Sequence, residues 1–222
     1  MKEFEFAVVG AGWRTEFFLR VAAALPQMKV CGIVARDEAR ANVVQSDWDV
    51  PCFATISDLM SDTRPSFVIA SVSAQAMPHV CTELAERAVP ILAETPPATD
   101  LEGLVSLYQA LSRLGARIQV AEQYWAQPLH AARQAIVDSG VLGRVNQVNL
   151  SVCHGYHAVS LIRRLLGIGF ETARIRGQRF TSCVIAGPDR SGPVSYTHLR
   201  AHETGRHISY AVFCLKSGGG GG

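Results

Sequence analysis

Residues 4–15 read FEFAVVGAGWRT, and this stretch decides the fold. Its first six positions form a short, mostly apolar, β-rich run that predicts a buried strand. Gly10 and Gly12 follow at once, and a helical apolar pattern then continues to Pro26. In such a strand–turn–helix, Gly10 permits the tight turn and Gly12 lets the backbone approach a pyrophosphate at the helix N-terminus. Thr15 stands where the six-residue fingerprint has a third glycine, so a plain strand-to-helix turn is the alternative interpretation.

Strand and helix patterns alternate through the first 122 residues. Strand patterns recur at 30–34, 67–72, 90–93 and 118–121, and helical patterns lie at 78–87 and 101–114. Alternation at this spacing is typical of parallel βαβ units. We therefore predict an α/β fold, a doubly wound parallel sheet of the Rossmann type over residues 1–122, with the truncated start of a second α/β domain over residues 123–193.

The end of the second predicted strand bears on cofactor choice. Ala35, Arg36 and Asp37 follow that strand, some twenty residues after the glycines. In dinucleotide-binding folds an acidic residue here bonds the adenosine ribose, whereas an arginine suits a 2′-phosphate. Arg36 therefore favours NADP, with NAD as the alternative because Asp37 could still serve. The other interpretation of Arg36 is an ordinary solvated charge in a loop.

Composition excludes several classes of protein. The chain has 222 residues, of which 48% are hydrophobic and 18% charged, which is typical of a globular protein. No apolar run is long enough to span a membrane, and no signal-peptide pattern is seen, so we expect no membrane partner. The six cysteines include no C-x-x-C pair, which favours free thiols in a reducing cytoplasm. No metal site and no nucleic-acid partner are expected.

The small basic excess comes from the end of the chain. The net charge is +2, yet residues 194–222 carry three basic residues and one acidic residue, which leaves 1–193 neutral. The stretch 194–204, VSYTHLRAHET, resembles one reading frame of a DNA-sequencing adapter, and 208–216, ISYAVFCLK, resembles its flow-cell end. We expect residues 194–222 to be a non-native, disordered tail and the protein to be truncated near residue 193.

A series of motifs resembles the Gfo/Idh/MocA oxidoreductase family. The motifs, in chain order, are AVVGAGWR (7–14), FATISDLM (53–60), SVSAQAMPH (71–79), AETPP (93–97), VAEQYWAQP (120–128) and VDSGVLGRVNQV (137–148). The resemblance implies NAD(P)-dependent hydride transfer to or from a small carbonyl, hydroxyl or imine substrate, and a homo-oligomer for the full-length form. It also implies three sets of cofactor contacts: Gly10, Gly12, Trp13 and Arg14 at the pyrophosphate, Arg36 at the adenosine end, and Ser73 and Glu94 at the nicotinamide half.

The sequence departs from this family at two of three expected catalytic positions. The family's Glu-Lys-Pro segment, which supplies a catalytic lysine, reads Glu94-Thr95-Pro96 here. The family's aspartate, four residues before a histidine, is Cys153, whereas His157 matches the histidine. Threonine cannot replace an ammonium as a proton donor. A dinucleotide-binding sensor or partner subunit without turnover is therefore the alternative function.

His157 is the predicted catalytic residue. Histidine is the side chain best suited to exchange a proton near neutral pH. A histidine that caps a helix or is merely hydrogen-bonded is the alternative interpretation, since buried polar groups find partners anyway.

Overall fold

The computed structural model describes residues 3–150, 155–169 and 171–172, together with the backbone of 188–189 and 192–193. Cys153 and the predicted tail, residues 194–222, lie outside the described residues. The chain divides into two compact units, Met1–Ala121 and Glu122–Gly222, which are taken in turn.

The first unit is built on one parallel sheet of six strands. Its order is β3-β2-β1-β4-β5-β6, and each neighbouring pair is parallel. The strands are β1 (Phe4–Val9), β2 (Met28–Val34), β3 (Cys52–Phe53), β4 (Phe67–Ala70), β5 (Ile91–Ala93) and β6 (Ile118–Val120). This order reverses direction between β1 and β4, which is the doubly wound arrangement. The predicted fold class is confirmed.

Five helices connect these strands. They are α1 (Trp13–Ala24), α2 (Glu38–Trp48), α3 (Ile56–Asp62), α4 (Met77–Glu86) and α5 (Leu101–Arg113). Three begin at a side chain that accepts a backbone N–H of the first turn, namely Asp37 for α2, Thr55 for α3 and Asp100 for α5. Such caps satisfy N–H groups that a helix cannot pair internally. Gly12, the cap residue of α1, has no side chain to do this.

The sheet separates two hydrophobic cores. Successive residues of a strand point to opposite faces, so Ala7 and Val9 of β1 join the core under α3, α4 and α5. Phe6 and Val8 join the other core, which includes Leu19 of α1. Burial on both faces explains why the second half of β1, residues 6–9, reads as a continuous apolar run rather than as an alternating one.

The carboxyl ends of the central strands meet at one edge. The N–H of Gly10 donates to the carbonyl of Val34, and the N–H of Ser71 to the carbonyl of Val9. The N–H of Glu94 donates to the carbonyl of Ala70 in the same way. The turns after β1, β2, β4 and β5 therefore lie along a single edge, where ligands of open α/β sheets bind.

The described residues of the second unit form a 3₁₀ turn (Tyr124–Ala126), two helices and a short antiparallel strand pair. The helices are α6 (Pro128–Asp138) and α7 (Gly155–Leu166), and the strands are β7 (Pro188–Asp189) and β8 (Gly192–Pro193). Helix α7 buries His157, Ala158, Leu161 and Ile162 on one face. The predicted domain limits at 122 and 193 stay a prediction. No helix within the described parts of either unit has the length and apolarity to cross a membrane.

Candidate functional site

Gly10 is required by its backbone and by its neighbour across the sheet. Its φ of 115° lies in the region that side chains rarely adopt. A Cβ atom at this position would overlap the backbone oxygen of Ser71, which follows β4. The glycine therefore allows the chain leaving β1 to pass close against β4 at the point where the strand order reverses.

Gly12 differs from Gly10 in both respects. Its φ is −79°, which any residue adopts, and no described residue other than its immediate chain neighbours has an atom within 4 Å of a Cβ built there. Packing inside the described chain thus gives no reason for a glycine at this position. The open space stands beside the first turn of α1, whose N–H groups no side chain caps. This is the geometry in which a backbone receives a phosphate.

Thr15, at the position of the fingerprint's third glycine, is held by two hydrogen bonds within the turn. The side chain is 1% exposed, and its hydroxyl donates to the carbonyl of Gly10 at 2.8 Å. The backbone N–H of Thr15 also donates to the carbonyl of Gly12 at 3.0 Å. The threonine therefore ties the turn to the first turn of α1, a role that the sequence motif alone does not indicate.

Arg14 and Glu94, two predicted cofactor residues, contact each other. Arg14 Nε lies 2.9 Å from Glu94 Oε1, and the Glu94 side chain is 9% exposed. The other carboxylate oxygen accepts the backbone N–H of Thr95 at 3.1 Å. The Arg14 guanidinium also lies over the rings of Trp13 and Phe17, at 5.2 and 5.8 Å from their centroids. An ion pair thus joins the turn after β1 to the loop after β5.

The segment after β2, which is predicted to receive the adenosine end of a dinucleotide, holds two arginines, an engaged aspartate and the exposed Glu38. Arg36 is exposed directly after the buried Ala35. Asp37 Oδ1 accepts the N–H of Arg40 at 3.0 Å, so this carboxylate caps α2. The Arg40 side chain reaches back to the glycine turn, where it donates to the carbonyl of Ala11 at 3.1 Å. Arg40 was not predicted from the sequence, although it lies one helical turn from Arg36.

Ser73 lies where the fourth strand's loop turns into α4. It is exposed, and its carbonyl accepts the N–H groups of Ala76 and Met77 at 2.9 and 3.0 Å. The described contacts of Ser73 are thus those of a turn residue at the carboxyl edge of the sheet.

His157, in the second unit, lies in a cluster that we call the imidazole cluster, formed with Glu122, Tyr124 and Tyr156. The histidine is 5% exposed, and its Nδ1 lies 2.6 Å from Glu122 Oε2. The Tyr124 ring stacks on the imidazole at 3.9 Å between centroids and 5° between planes. Tyr156 packs on it at 4.4 Å. Glu122 and Tyr124 belong to the quoted AEQYW motif, but no spacing rule links them to residue 157.

The described cysteines are not activated nucleophiles. Burial raises the pKa of the Cys31 and Cys52 thiols and raises that of Cys81 to about 12. All three are free. Within the described ranges, no group of three or more His, Cys, Asp or Glu side chains could hold a metal ion.

Comparison with known proteins gives one family and a consistent set of folds. Residues 4–122 match the Gfo/Idh/MocA family, described as an oxidoreductase family with an NAD-binding Rossmann fold. No curated protein sequence matches the chain.

Solved structures with the same fold include three dehydrogenases or oxidoreductases. They are the apo scyllo-inositol dehydrogenase of Lactobacillus casei (14% identity, TM-score 0.67), an oxidoreductase of Agrobacterium radiobacter in complex with NAD⁺, L-tartaric acid and magnesium (17%, 0.66), and the myo-inositol 2-dehydrogenase of Lactobacillus plantarum (13%, 0.66). Each match covers 75% of this chain and 55%, 55% and 57% of the other chain, respectively. The chain therefore spans little more than half the length of these proteins.

The family match covers more than half of the chain and coincides with the six-stranded sheet and its glycine turn. The chain belongs to the Gfo/Idh/MocA oxidoreductase family, through its NAD-binding Rossmann fold.

Proposed function

We propose that the first unit binds a nicotinamide dinucleotide along the carboxyl edge of its sheet. We propose further that the protein catalyses hydride transfer to or from a small carbonyl, hydroxyl or imine substrate. The observation that carries the proposal is the open space at Gly12 beside the uncapped start of α1. A bound nicotinamide ring would supply the hydride acceptor or donor.

The pyrophosphate would lie over Gly12. Backbone N–H groups at the start of α1 and the positive end of the helix dipole both favour an anion there. Arg14 lies two residues further on, in the first turn of α1, but its guanidinium is paired with Glu94 in the free chain. The arginine would therefore orient Glu94 toward the nicotinamide half and contribute only part of its charge to the phosphates.

NADP is the proposed cofactor, with NAD as the alternative. Two cations, Arg36 and Arg40, stand at the carboxyl end of β2 and the start of α2, where the 2′-phosphate of NADP would lie. The acidic residue that could serve the ribose of NAD is Asp37, and one of its oxygens already caps α2. Its capping role makes Asp37 a weaker partner for a ribose hydroxyl.

Proton transfer is assigned to His157 in this proposal. Thr95 occupies the position where a lysine is expected, and its backbone N–H donates to Glu94. The segment thus offers no ammonium to a developing alkoxide. His157 is the one of the three expected catalytic residues that this sequence retains, and its contacts with Glu122 and Tyr124 hold its ring in one orientation.

The second candidate function is a dinucleotide-binding sensor or partner subunit without turnover. The observation that favours it is Thr95, since the loop after β5 is otherwise intact and its carboxylate is fully engaged. Such a protein would keep every proposed cofactor contact along the carboxyl edge of the sheet and would lack only hydride transfer.

Calorimetric titration of the full chain with NADPH and with NADH tests the cofactor assignment. We expect NADPH to bind about tenfold more tightly, a difference that corresponds to about 1.4 kcal/mol. Arg36→Ala and Arg40→Ala should each reduce this preference. Arg20→Ala is the matched control, because Arg20 is an exposed arginine of α1 paired with Glu16. Equal or tighter binding of NADH would refute the NADP assignment.

Turnover separates the enzyme from the sensor. Absorbance of the reduced cofactor is followed with a panel of sugars, polyols and imines, for the wild type and for His157→Ala. Turnover that disappears in His157→Ala supports the enzyme. Cofactor binding without hydride exchange across the panel supports the sensor.

A homo-oligomer and a cytoplasmic location belong to the same proposal, the latter because the described cysteines are free thiols.

A further inference from the structure

We propose that Glu122 is the positioning residue of His157. Its carboxylate holds the imidazole in one orientation with the proton on Nδ1, so the chain has a carboxylate–imidazole pair although Cys153 stands where the family resemblance implies an aspartate. The part that this pair plays in proton transfer rests on the proposed function. The pairing and the tautomer do not.

The first step is the chemistry of the contact. A carboxylate accepts hydrogen bonds and donates none, so Nδ1 of His157 must be the donor in the 2.6 Å contact with Glu122 Oε2. A neutral imidazole has a single N–H group. When Nδ1 carries it, the lone pair lies on Nε2, on the opposite side of the ring from Glu122. The contact therefore selects which nitrogen can accept a proton.

The second step is that Glu122 is itself held. Its other oxygen, Oε1, accepts the backbone N–H of Tyr124 at 3.0 Å. One carboxylate thus bridges the start of the 3₁₀ turn and the first turn of α7. Its side chain is only 18% exposed, so water competes weakly for these oxygens.

The third step is that the ring cannot easily turn. The Tyr124 ring lies parallel to the imidazole, at 3.9 Å and 5°, while Tyr156 packs at an angle of 58°. The same residue, Tyr124, therefore fixes both the carboxylate, through its N–H, and the imidazole, through its ring. Such a supporting shell is what holds a reacting group in a productive geometry.

In the reaction, a substrate hydroxyl would give its proton to Nε2 of His157. The ring then carries N–H groups on both nitrogens and one positive charge, which the Glu122 carboxylate offsets. In the opposite direction the imidazolium returns the Nε2 proton to the substrate oxygen. Glu122 keeps its charge throughout and touches no reacting atom, which makes it a positioning residue.

The test reads the tautomer directly. The full chain is labelled with ¹⁵N-histidine, and long-range ¹H–¹⁵N spectra are recorded at a pH at which the imidazole is neutral. The signals of His157 are assigned by their loss in His157→Gln. We expect the Nδ1–H form in the wild type, in about tenfold excess over the other tautomer, as one charge-assisted hydrogen bond would give.

Glu122→Ala should shift the population toward the Nε2–H form, which free histidine favours in water. Glu122→Gln keeps an accepting oxygen without the charge, so we expect the Nδ1–H form to persist with its proton signal moved upfield. This second variant answers the question if the alanine variant does not fold. Glu171→Ala, an exposed glutamate of the same unit, is the control and should change nothing. An Nε2–H form in the wild type, or a tautomer unchanged in Glu122→Ala, would overturn the proposal.

Kinetic measurements connect the Glu122–His157 pair to the proposed function. Glu122→Ala should lower kcat about 100-fold while the KM for the cofactor stays unchanged, because the residue acts through the proton-transfer group alone. A fall in cofactor affinity with kcat retained would contradict a positioning role. If the tautomer responds as expected and the wild type has no turnover, the proposed function fails and the pairing stands.

Discussion

The glycine turn, residues 10–15, and the imidazole cluster place polar groups by different means. In the turn, the Thr15 hydroxyl donates to the carbonyl of Gly10, five positions earlier in the chain. In the imidazole cluster, Glu122 and His157 are thirty-five positions apart. The first region is encoded in a short motif, while the second exists only after helix α7 has packed. Local motifs therefore predict a turn of this kind better than they predict a contact between residues far apart in the chain.

The largest expected effect comes from a methyl group at Gly10. Gly10→Ala would force an overlap with the Ser71 carbonyl at a backbone φ of 115°. We expect a loss of about 3 kcal/mol or more in the free energy of unfolding, measured by urea denaturation.

Gly12→Ala is the matched control within the same turn. Its Cβ would enter open space at an ordinary φ, so the loss of stability should be about 1 kcal/mol or less, as for a changed helix cap. Cofactor affinity should nevertheless fall by about tenfold. Equal destabilisation by the two substitutions would remove the distinction between a structural and a ligand-facing glycine.

A double-mutant cycle measures how tightly the imidazole cluster is coupled. Glu122→Gln and His157→Gln, singly and together, should give a coupling energy of about 2 kcal/mol, since the pair is nearly buried and charge-assisted. The Arg20–Glu16 pair on α1 is the comparison, with side chains 68% and 49% exposed, and should give about 0.4 kcal/mol. Similar values for both pairs would mean that burial adds nothing to the contact in the cluster.

A smaller effect is expected at the hydroxyl of Thr15. Thr15→Val keeps the shape of the side chain but leaves the Gly10 carbonyl without this donor, at a cost of about 1 kcal/mol in unfolding free energy. Thr99→Val, at an exposed threonine, is the control and should change stability by less than about 0.5 kcal/mol. A neutral Thr15→Val would show that the turn does not depend on this bond.

The smallest effect concerns Cys81, a buried group outside both regions that sits among apolar side chains. Its folded pKa is raised to about 12, while an unfolded thiol titrates near about 8.5. As the pH rises above the unfolded pKa, the unfolded chain loses the thiol proton while the folded chain keeps it. The free energy of unfolding is therefore highest below the unfolded pKa and falls as the pH rises toward the folded pKa. Between pH 8 and pH 9 we expect a loss of about 0.7 kcal/mol that is absent from Cys81→Ala. Parallel pH profiles for the two proteins would contradict this.

The part of the fold that the sequence predicts is the part with strong apolar patterns. The strand at 4–9 and the helices at 78–87 and 101–114 appear within a residue or two as β1, α4 and α5. Helix α2 was not predicted, and its sequence has almost no apolar periodicity, in keeping with the absence of a buried residue in it. Helices α3 and α6 were not predicted either. Strand β3 has only two residues, which is too short for any periodicity.

In the candidate site, too, the sequence shows patterns along the chain but not contacts between distant residues. Arg36 and the two glycines could be proposed from the sequence, because each follows a strand that the sequence predicts. The contacts of Arg40 with Ala11, of Arg14 with Glu94 and of Glu122 with His157 could not, because each joins residues that only the folded chain brings together. The role of Thr15 was also hidden, since the motif records a missing glycine and not the hydrogen bond that replaces it.

The ion pair between Arg14 and Glu94 also bears on the kinetics of association. Each charge largely cancels the other at long range, so the middle of the cofactor edge attracts an approaching anion only weakly. The segment after β2 has no net charge either, because Asp37 and Glu38 are exposed between Arg36 and Arg40. Association of a dinucleotide with this edge is therefore expected to gain little from long-range attraction, and the two arginines should act through contacts made after encounter. On this view the association rate should depend only weakly on ionic strength, and replacing both arginines should act mainly on the dissociation rate.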